Sequence, residues 1–385
     1  MPLKMFSRNE TMTQLLDFPP IQRSDVATGR LLDALQDIVS KVQIQSDFCI
    51  RHPDYKPFEL PAEVVARFQQ LPADIQRKYL SLQLRSFLYG IYYNGSMRTA
   101  LAPEADSNPL PLDLENNTFL GVDLGFYNRL HQSNSGTGYF DPGWYVLREE
   151  SDGSLAVTKG SLRLHIERDR HLQPSDQAAV VGDSVAIQMP KNGVQNGFYM
   201  AVGNAESNRL DHSKGHSVTV RVYFNLSPEG AVAVMGSLTR QLNEKAIPFN
   251  FKVLYNPKDY ERHDSGVLYF NKSDYEVVRQ VLQAVYGEVR LHFQAEVPLF
   301  TMQLALGLGL AEEPDQKFAD QESFGMNRCQ IVANGLLEAS RQGDDSPEGR
   351  MKVILQQFSL LKIDLQRVYL NANSENIYTL VELGS

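Results

Sequence analysis

The stretch from Val218 to Phe270 constrains this chain more than any other, because strict alternation of apolar and polar residues assigns each side chain to one face of a sheet. VTVRVYFN puts Val218, Val220, Val222 and Phe224 on one side of a strand, and Thr219, Arg221, Tyr223 and Asn225 on the other. SPEG ends that strand. AVAVMGSLTRQLNEKA then carries Val232, Met235, Leu238, Leu242 and Ala246 at three- and four-residue steps, which predicts a helix. FNFKVLY is a second alternating strand, with Phe249, Phe251 and Val253 on one face and Asn250, Lys252 and Leu254 on the other. The turn NPKDYERHDSG and the short strand VLYF complete the unit. Arg221, Lys252 and Arg262 are thereby expected over one sheet, gathered as an anion site requires.

Helices flank this unit on both sides in sequence. Leu31, Leu32, Leu35, Ile38, Val39 and Val42 predict an amphipathic helix, and PAEVVARFQQL and PADIQRKYLSLQLRSFLYGIYYNG two more, each with proline in its first turn. Residues 1–15 read as a loose polar tail, 16–115 as a helical N-terminal subdomain ending in the linker TALAPEADSNPLPLDLENN, and 116–385 as an α+β domain. In that domain WYVLREE and LAVTKGSLRLHIER form hairpins through SDG and Lys159-Gly160, and SVAIQMPKN and GFYMAVGN add two strands. The last third reverts to helix: SDYEVVRQVLQAVYGEV, opened by Ser273 and Glu276 as a capping box, then ESFGMNRCQIVANGLLEASRQ and GRMKVILQQFSLLKI. GLGLAEEP reads as a rigid loop bearing Glu312 and Glu313. Helices, a strand-rich middle and helices again predict an α+β fold, a central, mostly antiparallel sheet flanked by N-terminal and C-terminal helices.

Composition removes several functions. A net charge of −9 argues against nucleic acid as the main ligand. No apolar run approaches the about 20 residues a bilayer span needs, so no membrane partner is expected. The N-terminus lacks a signal-peptide core, which points to a cytoplasmic protein, or to one secreted without a cleaved signal as effectors are. Cys49 and Cys329 match no metal or redox spacing and read as reduced, partly buried thiols, and no metal or other cofactor is expected. GTG lacks the following GK[ST] of a phosphate loop, and no GxSxG is present. His212 and His216, in DHSKGHS, read as a mobile loop that could close over the anion site.

PKN at 190–192, VRVYFNLSPEGA, FKVLYNPKDYERHDSGVLYF, and GLGLAEEP with ESFGMNRC resemble the HopA family over roughly Tyr139 to Tyr378. That family is named for a secreted effector of plant-pathogenic bacteria and also occurs in peptide-modification gene clusters. The resemblance implies a lyase that eliminates phosphate from phosphothreonine or phosphoserine in a peptide, as in lanthipeptide-like biosynthesis, after a separate kinase has acted. The phosphothreonine lyases and lanthipeptide-synthetase lyase domains are similar in order. Their basic-x-His motif falls on Arg163-Leu164-His165, their catalytic lysine on Lys191, and their phosphate-holding cations on Arg221, Lys252 and Arg262; Arg163 is expected to join these as a phosphate ligand, and Tyr223 and Arg328 are further candidate substrate contacts. The resemblance thus implies Lys191 as base, His165 as acid and no metal. Such an elimination needs a base for the Cα proton, a group at the enolate and cations at the leaving phosphate.

Each residue also has an ordinary reading. Arg163 and His165 fit a solvated hairpin edge, Lys191 a loop lysine pointing at water, and Arg221 a cross-strand ion pair with a glutamate. Lys252, the one charge in FNFKVLY, either snorkels or meets an anion. Arg262 with Asp264 fits a turn-stabilising pair, and Arg328 with Glu322 a salt bridge. The alternative function is a non-catalytic, effector-type protein-interaction module.

Overall fold

The computed structural model describes residues 26–45, 48–104, 118–119, 121–205 and 218–381. After α1 (Val26–Lys41) come a small three-stranded hairpin sheet, α2 (Ala73–Leu88) with a π-helical turn at Tyr89–Tyr93, and α3 (Leu124–Ser133). Then follow β1 (Tyr139–Glu149), β2 (Leu155–Lys159), β3 (Leu162–Ile166), β4 (Ser184–Met189), β5 (Asn192–Gln195), β6 (Phe198–Val202) and β7 (Thr219–Phe224). The remainder is α4 (Pro228–Glu244), β8 (Asn250–Leu254), β9 (Gly266–Asn271), α5 (Tyr275–Val289), β10 (Met302–Ala305), β11 (Leu308–Glu312), α6 (Phe324–Gln342) and α7 (Pro347–Leu360). The fold is α+β: a seven-stranded antiparallel sheet in the order β5-β6-β8-β9-β7-β11-β10, and a separate four-stranded one, β3-β2-β1-β4.

Local chemistry sets most boundaries. Ser227 caps α4 by accepting from the Gly230 amide with Pro228 in the first turn, and Ser323 caps α6 by accepting from Met326. Gly343, at φ 75°, supplies the left-handed residue that ends α6. Four expectations change. The capping box at Ser273 does not form, because the Asn271 side chain takes both the Ser273 amide and hydroxyl and winds residues 272–274 into a separate 3-10 turn. GLGLAEEP is not a loop: Gly307 makes a tight turn in which a Cβ would lie 2.1 Å from the Gln294 carbonyl, and Leu308–Glu312 is a fully buried strand paired with β7. SVAIQMPKN and GFYMAVGN enter different sheets, separated by the extra strand β5. Helix α3, capped by Asp123, was hidden in a segment without long apolar periodicity.

Register sorts the large sheet's two faces. Val220, Val222, Phe224, Phe251, Val253, Leu268 and Phe270 point one way and are buried. That face meets α3 through Tyr199, which contacts Tyr127 and His131, and α5 through Phe224, Phe293 and Tyr286. The opposite face is roofed by α2 and α6, since Tyr223 meets Tyr93 and Phe324. Helix α2 packs on α6, α6 on α7 and α7 on α1, so the N-terminal and C-terminal helices share one core. Arg350 ties them further by donating to the carbonyls of Val39 and Val42 at the end of α1.

The four-stranded sheet has its own small core around Trp144, Val146, Leu155, Val157, Ile166 and Ile187. A fully buried apolar side chain contributes about 1.5–3 kcal/mol, and ordering each residue costs about 1–2, so a core this small leaves its sheet little margin. Among the described residues no helix is long and apolar enough to cross a membrane.

Candidate functional site

Three neighbouring strands build the polar face. Arg221 of β7 lies opposite Tyr269 of β9, which lies opposite Asn250 of β8; Lys252 lies between Val267 of β9 and Met200 of β6. Phe198, two residues from Met200, therefore projects from the same side, as does Tyr223 beside Arg221. The loop after β8 returns Arg262 to this surface. Tyr223 is 3% exposed under the roof, whereas Lys252 and Phe198 are half-buried.

The cations form one row, spaced by aromatic rings. The Arg221 guanidinium sits 5.1 Å from the centre of the Tyr269 ring, and the Lys252 ammonium 5.5 Å from the same ring. Lys252 is 4.4 Å from the centre of Phe198, and Arg262 6.0 Å from that ring. Each contact is within the range at which a cation is drawn to the ring's negative face.

Carboxylates hold the two ends. Arg221 forms a short ion pair with Glu313, which also accepts from Lys317 at 2.6 Å. Burial opposes ionisation of Glu313, yet the Arg221 charge and hydrogen bond outweigh it and keep this carboxyl below its ordinary range. Arg262 grips Asp264 through two bonds of 2.5 and 2.9 Å, and Asp264 accepts in addition from Tyr89 at 3.2 Å and Asn94 at 3.1 Å. Against burial, which favours loss of the proton, Asp264 raises the Arg262 guanidinium above its usual value.

Lys252 differs. Among the described residues no carboxylate lies within ion-pair distance of its ammonium, and its close partners are the two ring faces. Arg221, Lys252, Arg262 and Lys317 against Glu313 and Asp264 leave the row electropositive, with the surplus at its half-buried centre. An anion is what such a centre lacks.

The other residues expected at the site stand elsewhere. Arg163 and His165 lie on β3 in the four-stranded sheet, both exposed, with His165 Nδ1 3.6 Å from Glu150. Lys191 precedes β5 and turns its ammonium to the Asn134 carbonyl at 2.8 Å, at the end of α3, the helix that packs on the sheet's other face. A strong main-chain acceptor claims it there. Arg328 is 1% exposed and donates to the carbonyls of Val368 and Leu370 and to Asn327, which makes it a clamp on the segment after α7. Burial pulls its pKa down to about 10. The proposed base and acid, Lys191 and His165, are thus not brought to the cationic row, whereas Arg221, Tyr223, Lys252 and Arg262 are. His212 and His216 lie outside the described residues.

Several members of the site went unread. Phe198 and Tyr269 are single aromatics on short strands, and the alternation of VLYF already set Tyr269 apart from Leu268 and Phe270. Tyr89, Tyr93 and Asn94 come from the π-helical turn of α2, a feature that recurs at functional sites, and the cluster YGIYYNG was its visible trace. The neighbours Glu312 and Glu313 separate as a strand requires. Glu313 faces the row, while Glu312 is buried with Lys272, Ser374 and Tyr378.

Residues 189–370 match the HopA1 effector protein family, which bears out the family resemblance over that span. The chain is similar in structure to an effector protein from Pseudomonas syringae pv. tomato strain DC3000, at 16% identity and a TM-score of 0.40, over 75% of this chain and 90% of that one. It is likewise similar to an effector protein from Pseudomonas syringae pv. syringae strain 61, at 12% identity and a TM-score of 0.43, over 91% of this chain and 100% of that one. No curated protein matches the sequence.

Proposed function

We propose that this region of HopA1-family sequence, residues 189–370, binds the phosphate of a phosphorylated peptide on the Arg221–Lys252–Arg262 row, and that the protein is a phosphothreonine/phosphoserine lyase. The observation that carries the reading is Lys252, an amine between two guanidinium groups with no carboxylate in ion-pair reach among the described residues. In elimination the base takes the Cα proton, that electron pair becomes the Cα=Cβ bond, and the Cβ–O bond breaks with both its electrons leaving on phosphate. Arg221, Lys252 and Arg262 hold the departing dianion. The products are a dehydroamino acid in the peptide and inorganic phosphate. A separate kinase supplies the phosphorylated residue.

One observation favours the second reading, a binding module without chemistry. Both guanidinium groups are already paired with carboxylates, which leaves less net positive charge to stabilise a departing dianion. Incubation with a phosphothreonine peptide, read by mass, separates the two. A product one water lighter than the unphosphorylated peptide, lost in Lys252→Met, is expected of the lyase. Unchanged peptide that binds wild type and not Lys252→Met supports the module, and equal binding by both removes the site.

A further inference from the structure

Strand β3 is the outer strand of the four-stranded sheet, paired with β2 on one side only. Among the described residues no other segment offers its backbone to Leu162–Ile166, so one row of amide and carbonyl groups is open. Folded proteins normally blunt such an edge, because it is a template for another strand. Here the edge is also apolar on one side: Leu162 is 62% and Leu164 37% exposed, and both continue the face that carries Val157 and Val146 into the small core. On the opposite side stand Arg163, with no carboxylate in ion-pair reach among the described residues, and His165 near Glu150.

We propose that β3 is a docking edge for an extended acidic peptide of another protein, which adds as a fifth strand. Its aliphatic residues cover Leu162 and Leu164, and a carboxylate in alternation with them meets Arg163. The charge pattern selects this occupant over a second copy of the chain. Two β3 strands related by a twofold axis at Arg163 would set that guanidinium against its own copy, and directly opposed like charges destabilise a strand pair. The edge lies outside residues 189–370, so the proposal stands apart from the function proposed for the large sheet.

The test titrates a fluorescein-labelled peptide of alternating Glu and Val, and one of alternating Lys and Val, into the full chain and reads anisotropy. The Glu peptide is expected to saturate and the Lys peptide not to. Arg163→Glu and Leu164→Asp should each weaken the Glu peptide by about tenfold or more with an unchanged far-ultraviolet circular dichroism spectrum. Equal binding of the two peptides, wild-type affinity in Arg163→Glu, or a solution dimer that Arg163→Glu dissolves would overturn the proposal.

Discussion

The large sheet and the small one present the same chemistry in opposite settings. Arg221 and Arg163 both occupy polar positions of alternating strands. Beside Arg221, Tyr223 meets the π-helical turn of α2 and the start of α6; the Arg221 side chain is 11% exposed, its ion pair with Glu313 is shielded, and its guanidinium lies 5.1 Å from the centre of the Tyr269 ring. Among the described residues nothing comparable covers Arg163, which is exposed. The difference teaches that alternation decides which face a residue takes, whereas elements distant in sequence decide whether that face becomes a site or a surface. Low dielectric under the roof strengthens each charge interaction, and water at the small sheet's edge weakens it.

The comparison breaks most visibly at the two cores. Trp144→Ala should cost the four-stranded sheet about 3–5 kcal/mol, enough to open it while the large sheet stays folded. Amide exchange checks this: protection is expected to vanish across β1–β4 and to persist in β7–β9, and loss in both would join the two cores into one cooperative unit. Next in size is Arg221→Met, which leaves Glu313 with Lys317 as its cation and should lower unfolding stability by about 3 kcal/mol in chemical denaturation.

A pH effect follows from His263 on the loop beside Arg262. Burial, aided by Arg98, lowers its pKa from the usual value to about 4. Above about pH 6.5 the imidazole is neutral in both folded and unfolded chains and stability is unaffected; between about 6.5 and 4 only the unfolded chain takes up the proton, so stability falls as pH falls. The loss should approach about 3 kcal/mol, and denaturation midpoints at neutral and acid pH should converge in His263→Asn. The smallest effect sharpens the contrast. Arg163→Glu should leave stability within about 0.5 kcal/mol of wild type, because the side chain is exposed and has no carboxylate in ion-pair reach among the described residues.

Much of the large sheet was legible beforehand. The faces of β7 and β8, the helix between them and the gathering of Arg221, Lys252 and Arg262 follow from period-two and period-3.6 patterns within one stretch. The same patterns placed Arg163 and His165 correctly on a strand but could not say that the strand belongs to another sheet, since sheet membership is a tertiary choice. Lys191 was beyond reach for a related reason. Its partner is a main-chain carbonyl of Asn134, and every residue has one of those. Tyr89 and Asn94 meet Asp264 from about 170 positions away, a separation over which local pattern carries no signal.

The small sheet leaves and rejoins the rest of the chain at a single point, since Tyr139 and Met189 are paired partners on β1 and β4. Paired residues lie about 5 Å apart, so two or three residues suffice to rejoin the chain there. The excursion therefore has the geometry of a cassette. Its removal or exchange would take away the open edge of β3 without altering a contact of the cationic row, so the two surfaces can change independently of each other.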